Sequence, residues 1–188
     1  MQQILSSGLA EQTIQKSRFI ALATYVDSER AVAAVLRQLA TDYPNASHLA
    51  YAFRLKTPEG IVLRFSDDGE PSGTAGKPII PHLEGRELIN VCVGVIRYYG
   101  GINLGTGGLV RAYAGTAKMA LDNAQIGEFI EQAEFELTLN YKQIDGFKRD
   151  LIQMGGELIH ADFAEQIHLT IRLPIRAWDA LRQHYPQS

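Results

Sequence analysis

Residues 97–113 read Arg97-Tyr98-Tyr99-Gly100-Gly101-Ile102-Asn103-Leu104-Gly105-Thr106-Gly107-Gly108-Leu109-Val110-Arg111-Ala112-Tyr113. Glycine crowds the middle of this stretch, between an apolar run at 88–96 and a helical pattern that follows. Glycine lets the backbone take positive φ and approach a ligand or another chain closely. The first N–H groups of a helix have no partner inside it, so a bare glycine-rich start presents them as an anion site. Arg97 and Arg111 flank the glycines, and Tyr98 and Tyr99 supply rings beside them. The segment therefore predicts a strand, a binding turn and a helix, in that order.

The apolar run at 88–96 predicts a central strand buried on both faces. Beyond the glycines, Leu109, Tyr113, Ala117 and Leu121 recur at four-residue spacing in a helix that fades near Asn123. Upstream, residues 19–25 form an apolar strand pattern after an N-terminal stretch rich in Gln and Ser. Asp27 is the expected cap of a helix carrying Val32, Val35, Leu36 and Leu39, which ends at Pro44-Asn45. Residues 48–55 and 61–65 predict a hairpin around Thr57-Pro58-Glu59-Gly60. A loop follows at 66–78, then a short helix at 81–87.

A second group of elements begins after Gly127. Phe135, Leu137 and Leu139 alternate with polar residues, as in a half-buried strand. Ile144, Phe147, Leu151 and Met154 mark one face of a helix that stops at Gly155-Gly156. Strands are expected at 158–163 and 167–173, and Trp178, Leu181 and Tyr185 form the face of a last helix. The order β-α-β-β-α is most of a ferredoxin-like unit. Its final strand has no counterpart before Ser188. Charge changes at the same place: residues 1–125 hold 12 Lys/Arg against 11 Asp/Glu, and residues 126–188 hold 6 against 10. The expected domains are 1–126 and 127–188.

With 188 residues, 46% hydrophobic and 21% charged, the chain has a globular composition. A net charge of −3 means that any nucleic-acid surface must be local. No apolar run reaches membrane-spanning length, and no secretory signal pattern opens the sequence. The single cysteine, Cys92, excludes an internal disulfide and fits a reducing compartment, so a cytoplasmic location is expected.

Four ordered motifs resemble those of one family. The first two are Ser17-Arg18-Phe19-Ile20 and Ser47-His48. The third runs from Phe65-Ser66-Asp67-Asp68-Gly69-Glu70-Pro71 through Ser72-Gly73-Thr74-Ala75-Gly76-Lys77-Pro78, and the fourth is the glycine segment itself. On these motifs the chain is identified as similar to the IMPACT/YigZ family, in its bacterial YigZ-like form, over about residues 16–124. The resemblance implies an α+β fold in two domains. The first would be an α/β sandwich like domain 2 of a ribosomal protein, shared with domain IV of EF-G and with GHMP kinases. The second would be ferredoxin-like, here lacking its last strand. Eukaryotic members act in translational control by competing for a partner of an initiation-factor kinase, using an additional N-terminal domain not seen in this sequence. That role is therefore not carried over intact; for bacterial members the resemblance implies a nucleic-acid (RNA) or ribosome-associated binding role without an established reaction, in the regulation of translation or a stress response.

The expected binding face comprises Arg64, Asp68, Glu70, Gly73, Thr74, Lys77, Arg97, Tyr98, Tyr99, Gly100, Gly101, Gly105, Thr106, Gly107, Gly108 and Arg111. The basic residues would meet phosphates, and Tyr98, Tyr99 or Tyr113 would stack on bases. Alternatively Tyr113 packs on the apolar face of its helix and the glycines receive the 66–78 loop. Two further readings stay open: a phosphate- or nucleotide-binding enzyme related in fold to GHMP kinases, with Asp68 as base, and a protein-interaction module using an open edge of the second domain.

Other chemistry finds little support. Gly76-Lys77 is followed by Pro78 where a P-loop needs Ser or Thr, and Val110 breaks the dinucleotide fingerprint. Asp67, Asp68 and Glu70 lack the ligand ladder of a calcium loop. His48 could serve as a general base but has no matching nucleophile in the sequence, and His160 and His168 lack further ligands at zinc spacing. No catalytic residue, metal or cofactor is expected, and the oligomeric state is not legible.

Overall fold

The computed structural model describes residues 1–186 and divides into two units, Met1–Phe129 and Ile130–Ser188. Gln187 and Ser188, where the sequence places the end of the second domain, lie outside the described residues.

The first unit runs β1 (Gln2–Ser6), β2 (Gly8–Ile14), β3 (Ser17–Tyr25), α1 (Glu29–Asp42), β4 (His48–Thr57) and β5 (Gly60–Ser66). A 3-10 turn, Lys77–Ile79, then leads into α2 (Ile80–Glu84), followed by β6 (Val91–Tyr98), α3 (Gly105–Asn123) and β7 (Gln125–Glu128). Five strands form an antiparallel sheet in the order β2-β3-β6-β4-β5. β1 and β7 pair separately.

Strand alternation assigns the two faces of the large sheet. Phe19, Ala21, Ala23, Ala50, Ala52, Val91, Val93 and Val95 share a core with α2 and α3. On the other face, Phe53, Leu55 and Cys92 pack with Val32 of α1, and Ile20 and Ile96 with its Leu39. Small side chains set the layer spacing on both sides. A Cβ on Gly94 would stand 2.6 Å from Leu39 Cδ1, and one on Gly8 would stand 2.0 Å from the Ala120 carbonyl oxygen of α3. As expected, β6 is buried on both faces, from Val91 through Arg97.

Three local expectations are corrected. The Gln- and Ser-rich N-terminus carries two strands; β2 and β3 meet through a two-residue turn at Gln15 and Lys16, with φ of 44° and 64°. Such turns usually advertise themselves with Asn-Gly or Gly, and this one does not. Ser28, not Asp27, caps α1, its hydroxyl accepting the Ala31 N–H at 3.2 Å. The short helix expected at 81–87 is confined to Ile80–Glu84.

The second unit runs β8 (Gln132–Leu139), α4 (Ile144–Gln153), β9 (Glu157–Phe163), β10 (Ile167–Pro174), a 3-10 turn (Ile175–Ala177) and α5 (Trp178–His184). Its sheet order is β8-β10-β9, antiparallel throughout. This is the ferredoxin-like order without a fourth strand beside β8 among the described residues. Phe147, Leu151, Leu169, Ile171 and Leu181 form its core. Phe135 stacks on Trp178 at 4.2 Å between centroids.

Candidate functional site

The site grows from one row of the first sheet. Phe19 of β3, Arg97 of β6 and His48 of β4 are aligned across neighbouring strands. By alternation all three side chains stand on the α3 face. The sheet's interior is apolar there, but this row lies at its end, where the chain turns from β6 into the glycines.

Two serines hold that turn. Ser17 Oγ accepts the Gly100 N–H at 3.2 Å, and Ser47 Oγ accepts the Tyr99 N–H at 3.0 Å. Gly100 is needed because a Cβ would lie 2.1 Å from the Lys16 backbone, and Gly101 and Gly105 take φ of +84° and +71°. Gly107 has looser surroundings, a Cβ on Gly108 would stand 3.0 Å from Leu104 Cβ, and both glycines leave the first turn of α3 bare. No side chain caps that helix and no acid stands in its first turn. The Arg111 guanidinium folds back beside it, with Nη1 3.4 Å from where a Gly107 Cβ would be.

The loop at 66–78 forms the opposite wall. Asp67 organises it by accepting N–H bonds from Gly73, Ala75 and Gly76 at 2.7, 3.0 and 2.8 Å. Burial tends to raise the Asp67 carboxyl, but these backbone donors, with that of Lys77, outweigh it and hold the pKa below its ordinary value. Asp68 Oδ2 accepts the Leu49 N–H, and the Asp68 carbonyl accepts from His48 Nδ1 at 2.7 Å. Gly76 is enclosed: a Cβ would meet the Ser66 carbonyl oxygen at 2.3 Å.

At the floor, Glu70 Oε1 accepts from Arg97 Nη1 at 2.6 Å and from the Tyr113 hydroxyl at 2.8 Å. Arg97 Nη2 reaches Ser17 Oγ at 3.3 Å, and the guanidinium lies 5.6 and 5.2 Å from the ring centres of Phe19 and Tyr99. Burial, and then the bond to Glu70, push the Tyr113 hydroxyl far above its ordinary pKa. The result is a cleft of about 550 Å³, with Ser47, His48, Glu70, Pro71, Tyr99 and Thr106 among its lining residues.

Several expected site residues are thus gathered: Glu70, Arg97, Tyr99, Gly105 and Thr106 line the cleft, while Gly108 and Arg111, farther along α3, line a separate hollow with Gln12, Ile14 and Gln15. Others have different work. Arg97 is not a surface contact for phosphate; both terminal nitrogens are engaged inside the protein, because strand parity points the side chain under α3. Arg64 lies on the edge strand β5 and pairs with Glu29 at 3.3 Å. Tyr98 sends its hydroxyl to the Pro44 carbonyl at 3.0 Å. Tyr113 is fully buried and edge-on to Phe19. Thr74 is buried with its hydroxyl on the Pro71 carbonyl at 2.6 Å, while Gly73, at φ +76°, and the exposed Lys77 shape the back of the loop. The three loop carboxylates diverge onto separate partners, and Asp68 is engaged by backbone rather than free as a base. No group of three or more metal-ligating side chains occurs among the described residues.

Ser17, Ser47 and Asn103 were not among the residues expected to form the site. The serines stood in the quoted motifs, but only the fold shows that they bind the turn after β6. In the second unit, His160 and His168 lie on a shallow polar sheet face with Glu136 and Asp162. No helix among the described residues is long and apolar enough to cross a membrane.

Comparison with known proteins places these residues in context. Residues 15–121 match the model of the Impact N-terminal domain, and residues 137–184 match that of a domain of unknown function, DUF1949. The IMPACT family member YigZ of Escherichia coli (strain K12) is 38% identical over 164 residues, covering 87% of this chain and 80% of its own. An IMPACT family member of Haemophilus influenzae is 35% identical over 176 residues, covering 93% and 85%. The crystal structure of a hypothetical protein superposes with a TM-score of 0.73 at 33% identity, over 97% of this chain and 89% of that one.

Proposed function

The chain belongs to the IMPACT family, and from that premise we propose that its first unit is an RNA-binding module of translational control, free or on the ribosome, holding a backbone phosphate at the amino end of α3. The bare first turn of α3, with the Arg111 guanidinium folded beside it, is the observation that carries this reading. Unpaired N–H groups and the helix dipole favour an anion there, and Arg111 adds a full charge. Tyr99, 48% exposed beside the same cleft, supplies a face for a base. A part in translational control is the coarser expectation that membership of the family supports. Arg97 contributes by holding the floor in place rather than by touching the ligand.

The test is fluorescence anisotropy with a single-stranded RNA 12-mer over a range of salt. Arg111→Ala is expected to weaken binding and flatten the salt slope by about one unit. Thr106→Glu places an acid in the first turn of α3, which stabilises the helix by about 0.3–1 kcal/mol while repelling a phosphate. A Thr106→Glu protein that melts no lower yet binds RNA at least tenfold more weakly supports the reading. Absence of RNA binding by the wild type, or equal binding by both variants, removes it.

A further inference from the structure

Glu70 has a second oxygen. Its side chain is 4% exposed, and Oε1 already accepts from Arg97 and Tyr113. Oε2 lies 3.8 Å from His48 Nε2, beyond hydrogen-bond distance, and has no hydrogen-bond partner among the described residues. Glu70 lines the cleft, so this oxygen is open to a donor that enters it.

His48 sets what that donor must be. Its Nδ1 faces the Asp68 carbonyl at 2.7 Å, and a carbonyl can only accept, so Nδ1 carries the hydrogen. With the hydrogen on Nδ1, the lone pair of a neutral ring falls at Nε2. In that form Nε2 and Oε2 are two acceptors side by side in the cleft. Tyr99, Pro71, Leu104 and Leu109 line the same cleft and supply apolar surface.

Resting on the RNA reading above, we propose that His48 and Glu70 form a nucleobase subsite that takes the two N–H donors of an exocyclic amine and rejects uracil. Adenine and cytosine both present an NH₂ group at the pairing edge. Uracil presents one N–H between two carbonyl oxygens, so one of its lone pairs would face the Glu70 carboxylate. A site built of two acceptors discriminates against a ligand that cannot donate to both, because one of its own polar groups is then left unpaired. The base would stack against Tyr99 while its phosphate occupies the first turn of α3. The subsite gives the cleft a base preference that phosphate binding alone lacks.

Anisotropy with A12, C12 and U12 RNA tests the proposal on the intact chain, with His48→Ala and Glu70→Gln alongside. The wild type is expected to bind A12 and C12 about tenfold more tightly than U12, a ratio typical of one well-made base contact. His48→Ala should narrow that ratio to under twofold. Glu70→Gln should do the same where its melting curve shows a folded protein; His48 is a quarter exposed, so its variant is the safer probe. Equal affinity of the wild type for all three, tighter binding of U12, or a ratio unchanged in His48→Ala overturns the subsite and leaves phosphate binding standing. Failure of all three RNAs to bind overturns the RNA reading itself.

Discussion

Arg97 and Glu70, 27 positions apart in sequence, meet through a 2.6 Å contact between Nη1 and Oε1, with side chains only 6% and 4% exposed. The pair ties the last strand before the glycines to the loop that faces them, so it fixes the distance between the two walls of the cleft. Arg97 Nε is buried without a partner, and the planar guanidinium is held between two aromatic rings.

Removing one member should cost more than the pair contributes, because the other charge is left buried. Arg97→Met is expected to lower stability by about 3–5 kcal/mol. The double variant Arg97→Met/Glu70→Leu should recover part of that loss. Urea denaturation of the three proteins checks this, and a single variant that costs under about 1 kcal/mol would show that the floor relaxes around the missing group.

The glycines should separate into packing and non-packing positions. Gly100→Ala drives a methyl into the Lys16 backbone at 2.1 Å, where overpacking costs about 1–3 kcal/mol. Gly107→Ala meets only the Arg111 side chain at 3.4 Å, and should stabilise α3 by about 0.5–1 kcal/mol through helix propensity. Thermal melts of both should shift in opposite directions.

Asp67 makes the loop's stability depend on pH. Backbone donors hold its pKa in the folded protein below the ordinary value of 3.8, against the opposing effect of burial. A depressed carboxyl stabilises the fold fully above its unfolded value, and the contribution disappears as pH falls through the folded one. Asp67→Asn should therefore lower the urea midpoint at pH 7, by an amount equivalent to about 1–3 kcal/mol. The gap from wild type should shrink steadily as pH drops below about 4. A gap that widens toward acid would contradict the sign.

Cys92 sits in the middle of β6 at 0% exposure, and burial pushes its thiol up to about 12. It should be unreactive toward an aromatic disulfide reagent at pH 8 in the native state. It should react completely in denaturant. Rapid labelling of the native protein would mean that α1 opens from the sheet far more readily than its packing implies.

Hydrophobic periodicity is local, so residue spacing alone made the order and type of most elements legible. The unbroken apolar run into Ile96 marked the buried strand, and the fourfold spacing from Leu109 to Leu121 marked α3. The β-α-β-β-α order of the second unit was legible for the same reason. Two strands before Ser17 were not, since β2 is a polar edge strand and its turn at Gln15-Lys16 uses neither Gly nor Asn. The glycine segment and the 66–78 loop were recognised as neighbours of one site. What each residue does there depends on contacts between segments distant in the chain. Strand parity put Arg97 under α3, where it meets Glu70, and put His48 beside it across β4 and β6. The same parity left Arg64 on the far edge with Glu29. A side chain's type and position say what it can bond, but partners 27 or 80 positions away are chosen by register and packing. That is why arginines expected to greet a ligand were found to have parted, Arg97 into the floor and Arg111 onto the first turn of α3.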